Sequence, residues 1–157
     1  MEKIPASEGE NKEMEKILSF ESGKEHYEAD AFVSWCFDDR FSAALEALKE
    51  KRGFKYSDVV EWAGGAKDLA SSITAEREAQ LGQIKKSIVL HKTKRVVLMV
   101  HVDCGAFGGS KAFGNDREEE RGHLVSQLNA AEQTVKEAFP GIDVEKVMVD
   151  FDGIYRI

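Results

Sequence analysis

The feature that most constrains the fold is a continuous apolar run near the middle of the chain. Val96-Val97-Leu98-Met99-Val100 stands between Lys94-Arg95 and the polar segment that begins at His101. An unbroken run of this kind, rich in β-branched residues, is typical of a parallel strand covered on both faces, since neither face meets solvent. The run therefore predicts a strand over residues 95–101 in the interior of a parallel sheet.

Strand and helix patterns alternate along the rest of the chain. Strands are predicted over 30–36, 57–62 and 145–151, and helices over 41–51, 66–91 and 116–138. The last helix is the clearest, because apolar residues recur there in steps of four and three at Leu124, Leu128, Ala131, Val135 and Ala138. The order β-α-β-α-β-α-β predicts a single α/β domain with a mainly parallel, four-stranded sheet flanked by helices.

Residues 1–27 differ from the rest of the chain. They are rich in Glu and Lys, and their apolar residues are few and weakly periodic: Met14, Ile17, Leu18 and Phe20. We expect a tail followed by a short amphipathic helix, which would pack on the body or on a second subunit because it has little apolar surface of its own. The predicted organisation is thus an N-terminal tail and helical arm over 1–27 and an α/β domain over 28–157.

The charge balance narrows the classes of partner. The 157 residues include 22 basic and 29 acidic ones, a net charge of −7, which argues against non-specific binding to nucleic acid or anionic membranes. No apolar run approaches the roughly 20 residues of a membrane span, and residues 1–5 lack the hydrophobic segment of a signal peptide. We therefore expect a soluble, cytoplasmic protein.

Both cysteines follow predicted strands. Cys36 ends the first strand, and His101 and Cys104 follow the apolar run. In a parallel sheet the loops after the strands form the ligand crevice, so these side chains could converge there. Two thiolates and an imidazole are good ligands for zinc, and three protein ligands leave the fourth position open, as in catalytic sites. We expect one Zn²⁺ per chain at these residues, although each cysteine alone could be an ordinary buried one.

Asp38 and Arg40 lie two and four residues after Cys36. A carboxylate beside a guanidinium stays ionised and can be held by two parallel hydrogen bonds. Such a carboxylate could accept the proton of a zinc-bound hydroxide and orient the hydroxide towards a substrate. The plainer interpretation is a surface ion pair without a catalytic role.

The combined pattern resembles that of the β-class carbonic anhydrases, in their short, archaeal-type branch. The resemblance covers about residues 30–157 and depends on Cys-x-Asp-x-Arg at 36–40, Ala-Gly-Gly at 63–65 and His-x-x-Cys-Gly at 101–105. It implies zinc bound by Cys36, His101 and Cys104, with Asp38 and Arg40 as the catalytic dyad.

The same resemblance implies the fold and the reaction. The expected strand order is 2-1-3-4, which makes the two ligand-bearing strands neighbours, and the expected assembly is a homodimer or a larger homo-oligomer with active sites near the subunit interfaces. The implied reaction is the reversible hydration of CO₂ to bicarbonate and a proton, by attack of zinc-bound hydroxide. In some members the dyad aspartate, here Asp38, closes the zinc site by taking the fourth position.

Three positions depart from the family pattern. Glu61-Trp62 stands where the family usually has Arg-Asn, and this change predicts an altered pocket wall or assembly. Asp39 stands where Ser is frequent, and its carboxylate would raise the pKa of the hydroxide or face solvent. The alternatives are therefore a hydrolase of CS₂ or COS on the same zinc site, and a zinc-binding protein without catalysis.

For two further acidic segments we expect structural roles. Asp103, between two predicted ligands, is expected to cap its loop or to accept hydrogen bonds from the site. The run Glu118-Glu119-Glu120 is expected to form a solvated first helical turn, which complements the helix dipole.

Overall fold

The computed structural model describes residues 14–157, and a five-stranded sheet forms its centre. The strands are β1 (Ala31–Cys36), β2 (Ser57–Trp62), β3 (Arg95–His101), β4 (Asp143–Asp150) and β5 (Gly153–Arg156). Their order across the sheet is β2-β1-β3-β4-β5. The first four strands run parallel, and β5 pairs antiparallel with β4. The predicted α/β fold and the 2-1-3-4 order are confirmed.

The predicted number of four strands is wrong, because the sheet also contains β5. This strand has only four residues and leaves β4 through a two-residue turn, since Asp150 pairs with Gly153. Three of its four residues are exposed, so it lacks the apolar run by which the buried strands were recognised.

Three α-helices accompany the sheet: α1 (Ser42–Arg52), α2 (Thr74–His91) and α3 (Arg117–Ala138). The predicted helix over 66–91 is wrong at its start, because Gly65–Ala70 forms a separate 3₁₀ helix. Ser71 then has an extended backbone, with ψ near 145°, and its hydroxyl accepts a hydrogen bond from the Ile73 N–H at 3.0 Å. This local hydrogen bond competes with helix continuation, as serine side chains often do.

The core lies between the buried strands and the apolar faces of the helices. β1 is buried along its whole length, and so is β3 after Arg95, as expected for strands covered on both faces. In α3 the predicted stripe is buried at Leu124, Leu128, Ala131 and Val135, whereas Ala138 at the end of the helix is exposed. Among the described residues, no helix is long and apolar enough to cross a membrane.

The predicted N-terminal helix is not formed in the part of the arm that the structure describes. Residues 14–27 contain no helix, and Met14, Ile17, Leu18 and Phe20 are between 74% and 92% exposed. An isolated short helix with so few apolar residues has little packing to stabilise it. Residues 1–13 of the predicted arm lie outside the described residues, and the domain boundary at 27/28 stays a prediction.

The turn between β2 and the 3₁₀ helix packs tightly against the ends of β1 and β3. Gly65 has φ +58°, and a Cβ atom on it would lie 2.2 Å from the carbonyl oxygen of Met99 and 3.2 Å from the Cys36 nitrogen. Both the backbone angle and the lack of space require glycine here. The Ala-Gly-Gly segment therefore lets one turn contact the two strands that carry the cysteine and the histidine.

We predict that Gly65→Ala is much more destabilising than Gly53→Ala, its matched control. Gly53 also has a positive φ, of +67°, but a Cβ there would meet nothing within 4 Å. The control should lose about 1–2 kcal/mol of unfolding free energy from backbone strain alone. Gly65→Ala should lose about 1–3 kcal/mol more, because the new methyl overpacks the turn. Urea unfolding of both variants measures the difference, and equal losses would contradict the close packing.

Candidate metal centre

The ends of β1 and β3 bring three metal-ligating side chains together. Cys36 is the last residue of β1, His101 is the last residue of β3, and Cys104 follows three residues later. Their ligand atoms all lie within 4.8 Å of one another, and all three residues are buried. The two Sγ atoms are 3.9 Å apart. The structure thus unites the three residues that the sequence singled out as ligands.

This geometry fits a tetrahedral zinc ion. Zn–S bonds of about 2.3 Å at tetrahedral angles place two sulfur atoms about 3.8 Å apart. The His101 Nδ1 lies 2.7 Å from the carbonyl oxygen of Val102, to which it donates when protonated. Its Nε2 is buried and has no hydrogen-bond partner among residues 14–157. A hydrogen bond from Nδ1 leaves the lone pair on Nε2, which is how histidine ligands are commonly oriented.

Burial also sets the protonation of these groups. It lowers the pKa of His101, so the imidazole is neutral at pH 7, in the form that can ligate a metal. Burial, with the neighbouring Cys36 sulfur, raises the pKa of the Cys104 thiol to about 11. A buried thiol of this kind is ionised when a metal binds, so binding releases protons. The Gly64 N–H also points at the Cys36 Sγ, at 3.4 Å.

Asp38 and Arg40 form a two-pronged ion pair beside this cluster. The Arg40 Nε donates to the Asp38 Oδ1 at 3.0 Å, and the Nη2 donates to the Oδ2 at 2.6 Å. These hydrogen bonds lower the pKa of Asp38 to about 2, which keeps its carboxylate ionised at neutral pH. The Asp38 Oδ2 lies 3.9 Å from the Nε2 of His101. The carboxylate therefore lies beside the free ring nitrogen of His101.

The terminal edge of the Arg40 guanidinium, formed by Nη1 and Nη2, binds Asp103. The Nη1 donates to the Asp103 Oδ2, and the Nη2 donates to the Asp103 carbonyl oxygen, both at 3.0 Å. Asp103 also fulfils the two structural roles expected for it, since its Oδ1 accepts the Ser110 N–H at 2.9 Å. The guanidinium is thus shared by two carboxylates, which sequence reasoning did not predict.

Glu120 is a residue beside the site whose role sequence reasoning missed. It is only 4% exposed, so the expectation of a solvated turn over Glu118-Glu119-Glu120 is wrong at this position. Its Oε1 accepts the Asp103 N–H at 2.6 Å, and its Oε2 accepts the Ser110 hydroxyl at 2.8 Å. The helical spacing could have revealed this, because residue 120 precedes Leu124 and Leu128 on the buried face by steps of four.

Aromatic side chains form one wall of the centre. The Phe41 ring lies 4.4 Å from the His101 ring and 5.1 Å from the Phe151 ring, centroid to centroid. The Arg40 guanidinium carbon lies 5.5 Å from the Phe41 centroid. Two phenylalanine rings therefore lie next to the charged Arg40 on this side of the centre.

The residues that depart from the expected pattern occupy different environments. Asp39 and Glu61 are exposed, so the Asp39 carboxylate faces solvent, one of the two expectations for it. Trp62 is partly buried and lies opposite Cys36 in the pairing of β1 with β2. Of the two changed residues in β2, Trp62 is therefore the one that pairs with a member of the cluster.

Comparison with known proteins identifies the family. The family model described as "Putative carbonic anhydrase" matches residues 28–155, most of the chain. The chain belongs to this β-carbonic-anhydrase-like family. Two relatives, both uncharacterized proteins, come from Rickettsia bellii and Rickettsia conorii. The first is 26% identical over 153 residues, covering 88% of this chain and 90% of the relative. The second is 25% identical over 152 residues, covering 88% and 79%.

Solved structures agree with this family fold. The β-carbonic anhydrase isoform I of Trichomonas vaginalis superposes with a TM-score of 0.54 at 13% identity, over 88% of this chain and 87% of that one. The carbonic anhydrase of Streptococcus mutans gives a TM-score of 0.53 at 14% identity, over 84% and 83%. At identities this low, the similarity shows that the fold is shared and nothing more.

We predict that Arg40→Gln raises the pKa of Asp38 from about 2 towards the ordinary value of about 3.9. The reason is that the variant loses the charged hydrogen bonds that favour the ionised carboxyl. Carboxyl ¹³C chemical shifts, followed during an acid titration of the metal-free protein, measure this pKa. Arg95→Gln, which removes an arginine paired instead with Asp143, is the control and should leave Asp38 unchanged. Titration of Asp38 at the same pH in both variants would contradict the assignment.

Proposed function

We propose that the protein catalyses the reversible hydration of CO₂ to bicarbonate and a proton, with one zinc ion held by Cys36, His101 and Cys104. The observation that carries this proposal is a buried Cys-His-Cys cluster faced by an arginine-bound carboxylate, in a chain of the carbonic anhydrase family. No second reaction has an observation of its own in its favour.

The donor set is suited to zinc in a catalytic rather than a structural role. Two thiolates and one imidazole are common zinc ligands, and a set of three leaves a fourth tetrahedral position open. When zinc is bound, it lowers the pKa of water in that position to about 7 and so supplies a nucleophile at neutral pH. The orphaned Nε2 of His101 and the sulfur separation of 3.9 Å both support this assignment.

Asp38 and Arg40 have complementary roles in the proposal. Asp38 accepts a hydrogen bond from the nucleophile and thereby directs the lone pair of its oxygen towards the carbon of CO₂. Arg40 keeps the carboxylate ionised and holds both of its oxygens, at 3.0 and 2.6 Å. Because the carboxylate is already fixed, its side chain does not have to lose conformational freedom when it orients a reactant. Its 3.9 Å separation from His101 Nε2 supports this placement.

The apolar wall suits a small uncharged substrate. Phe41 is buried against His101, and the Phe151 ring extends this surface outwards, where it is 67% exposed. CO₂ carries no charge, so it loses little solvation on contact with such a surface. CS₂ and COS share this property, and for that reason the activity test includes them.

A homo-oligomer remains part of the proposal. Large apolar side chains are exposed near the candidate site, as Phe37 at 65% and Phe151 at 67% illustrate. Exposed apolar residues that form a patch commonly mark a protein interface. Burial of this surface against a second copy of the chain would also limit the access of water to the site.

We predict one zinc ion per chain. His101→Ala and Cys104→Ser should each weaken zinc binding by at least about 100-fold, since loss of a ligand costs more than loss of a residue that only orients one, about 10–100-fold. His123→Ala is the control, because His123 packs against Phe107 and Phe113 rather than in the cluster. Competition with a chromophoric chelator measures the affinities. Tight zinc binding in both cluster variants would refute the proposed ligands.

We predict that Asp38→Ala keeps its zinc and loses at least about 100-fold in kcat/KM, the usual range for a group that handles a proton in the reaction. Stopped-flow CO₂ hydration from about pH 6.5 to 9 is the measurement, because bound water should titrate near 7. Asp39→Ala is the control, since Asp39 is the exposed neighbour, and it should remain active.

The outcomes of this assay separate the alternatives. Full activity of Asp38→Ala would refute the dyad. An inactive wild-type protein that holds zinc but turns over CS₂ or COS would replace the substrate. If none of the three substrates reacts, the chain is a zinc-binding protein without this catalysis.

A further inference from the structure

A buried carboxylate outside the proposed catalytic set supports the loop that follows β3. Glu120 lies in the first turn of α3 and is 4% exposed. Its two oxygens accept hydrogen bonds from the Asp103 N–H at 2.6 Å and the Ser110 hydroxyl at 2.8 Å. A charge so well buried requires such partners, and the N-terminal end of the helix dipole favours it further.

The Asp103 backbone is the part of this loop that most needs support. Asp103 has φ +52°, a left-handed conformation that is uncommon for residues other than glycine. The hydrogen bond to Glu120 fixes its N–H, and the hydrogen bond from the Ser110 N–H fixes its Oδ1 at 2.9 Å. Glu120, Asp103 and Ser110 thus form a closed ring of three hydrogen bonds, which holds Asp103 in an otherwise unfavourable conformation.

This conformation presents two oxygens of Asp103 to Arg40. The carboxylate and the carbonyl oxygen each accept one guanidinium hydrogen bond at 3.0 Å. The Arg40 side chain is 49% exposed, so water competes for its donors. The orientation of the Arg40 side chain therefore depends on its hydrogen bonds to Asp38 and to Asp103.

We propose that Glu120 is a positioning residue, which fixes Arg40 through Asp103 and so sets the orientation of the Asp38 carboxylate. Within the described residues, Glu120 makes no hydrogen bond to the cluster or to Asp38; it acts by fixing the Asp103 backbone. The catalytic consequence depends on the proposed function, whereas the structural consequence, the order of the Arg40 side chain, does not.

Three substitutions of Glu120 separate hydrogen bonding from charge. Glu120→Gln keeps an acceptor for the Asp103 N–H, and its amide can donate to the Ser110 oxygen, so it should behave like the wild type. Glu120→Ala removes both acceptors. Glu120→Asp keeps the charge but is one methylene shorter and cannot reach both partners, and it provides the test if the alanine variant fails to fold. Glu119→Ala, at an exposed position in the same turn, is the control.

The activity measurement should show a loss in kcat rather than in zinc binding. We expect Glu120→Ala and Glu120→Asp to lower kcat for CO₂ at least tenfold while KM and zinc affinity stay within threefold. Glu120→Gln and Glu119→Ala should stay within threefold in all three quantities. A general loss of stability would not produce rescue by the amide together with a selective fall in kcat.

A second measurement does not depend on turnover. Exchange of the Arg40 Nε–H proton with water, followed by ¹⁵N NMR and assigned by its loss in Arg40→Lys, should be at least tenfold faster in Glu120→Ala and Glu120→Asp and unchanged in Glu120→Gln. If the wild-type protein does not hydrate CO₂ but exchange is faster in Glu120→Ala and Glu120→Asp, the proposed reaction is overturned and the positioning role is supported. Unchanged exchange in the alanine or aspartate variant, or an equal effect of glutamine, would overturn the positioning role.

Discussion

The parallel pairing of β1 with β3 is the constraint on which the candidate centre depends. Phe32, Val33 and Ser34 pair with Val96, Val97 and Leu98, so the carboxyl ends of two strands far apart in the sequence meet at one edge. A shift of this register by one residue would turn every side chain of the shifted strand to the opposite face of the sheet. Because both strands are buried on both faces, the apolar core resists such a shift and thereby holds Cys36 near His101.

Around this edge of the sheet, the Arg40 guanidinium binds two carboxylates. Arg40 lowers the pKa of Asp38, and the Ser110 N–H together with Arg40 lowers the pKa of Asp103. Glu120 has no contact with arginine in the network and relies instead on a backbone N–H and a hydroxyl. The three carboxylates therefore lie close together without a cation for each. Such networks hold only when every member has its partners, which makes the geometry of each residue sensitive to the others.

Sequence patterns predicted the parts of the fold that depend on local composition. The apolar runs located the four parallel strands, and the types of residue at their ends pointed to the three members of the cluster. The missed features depend on contacts between distant segments. β5 is a short edge strand stabilised by β4, and the break before α2 depends on one serine hydroxyl. The arm predicted to be helical has apolar spacing, but its four apolar side chains within residues 14–27 are at least 74% exposed.

Asp103 illustrates how side-chain hydrogen bonds can override a local backbone preference. Glycine would adopt its φ of +52° without strain, whereas another residue loses about 1–2 kcal/mol there. Glycine, however, has no carboxylate for the Arg40 Nη1 or for the Ser110 N–H. The exposed ion pair with Arg40 contributes only about 0–1 kcal/mol. A hydrogen bond to a charged group contributes about 1.5–3 kcal/mol, so the bond from the Ser110 N–H offsets most of the strain. The strained aspartate is therefore stable because a buried glutamate and an arginine complete its hydrogen bonds, and its conformation in turn gives the arginine a fixed direction.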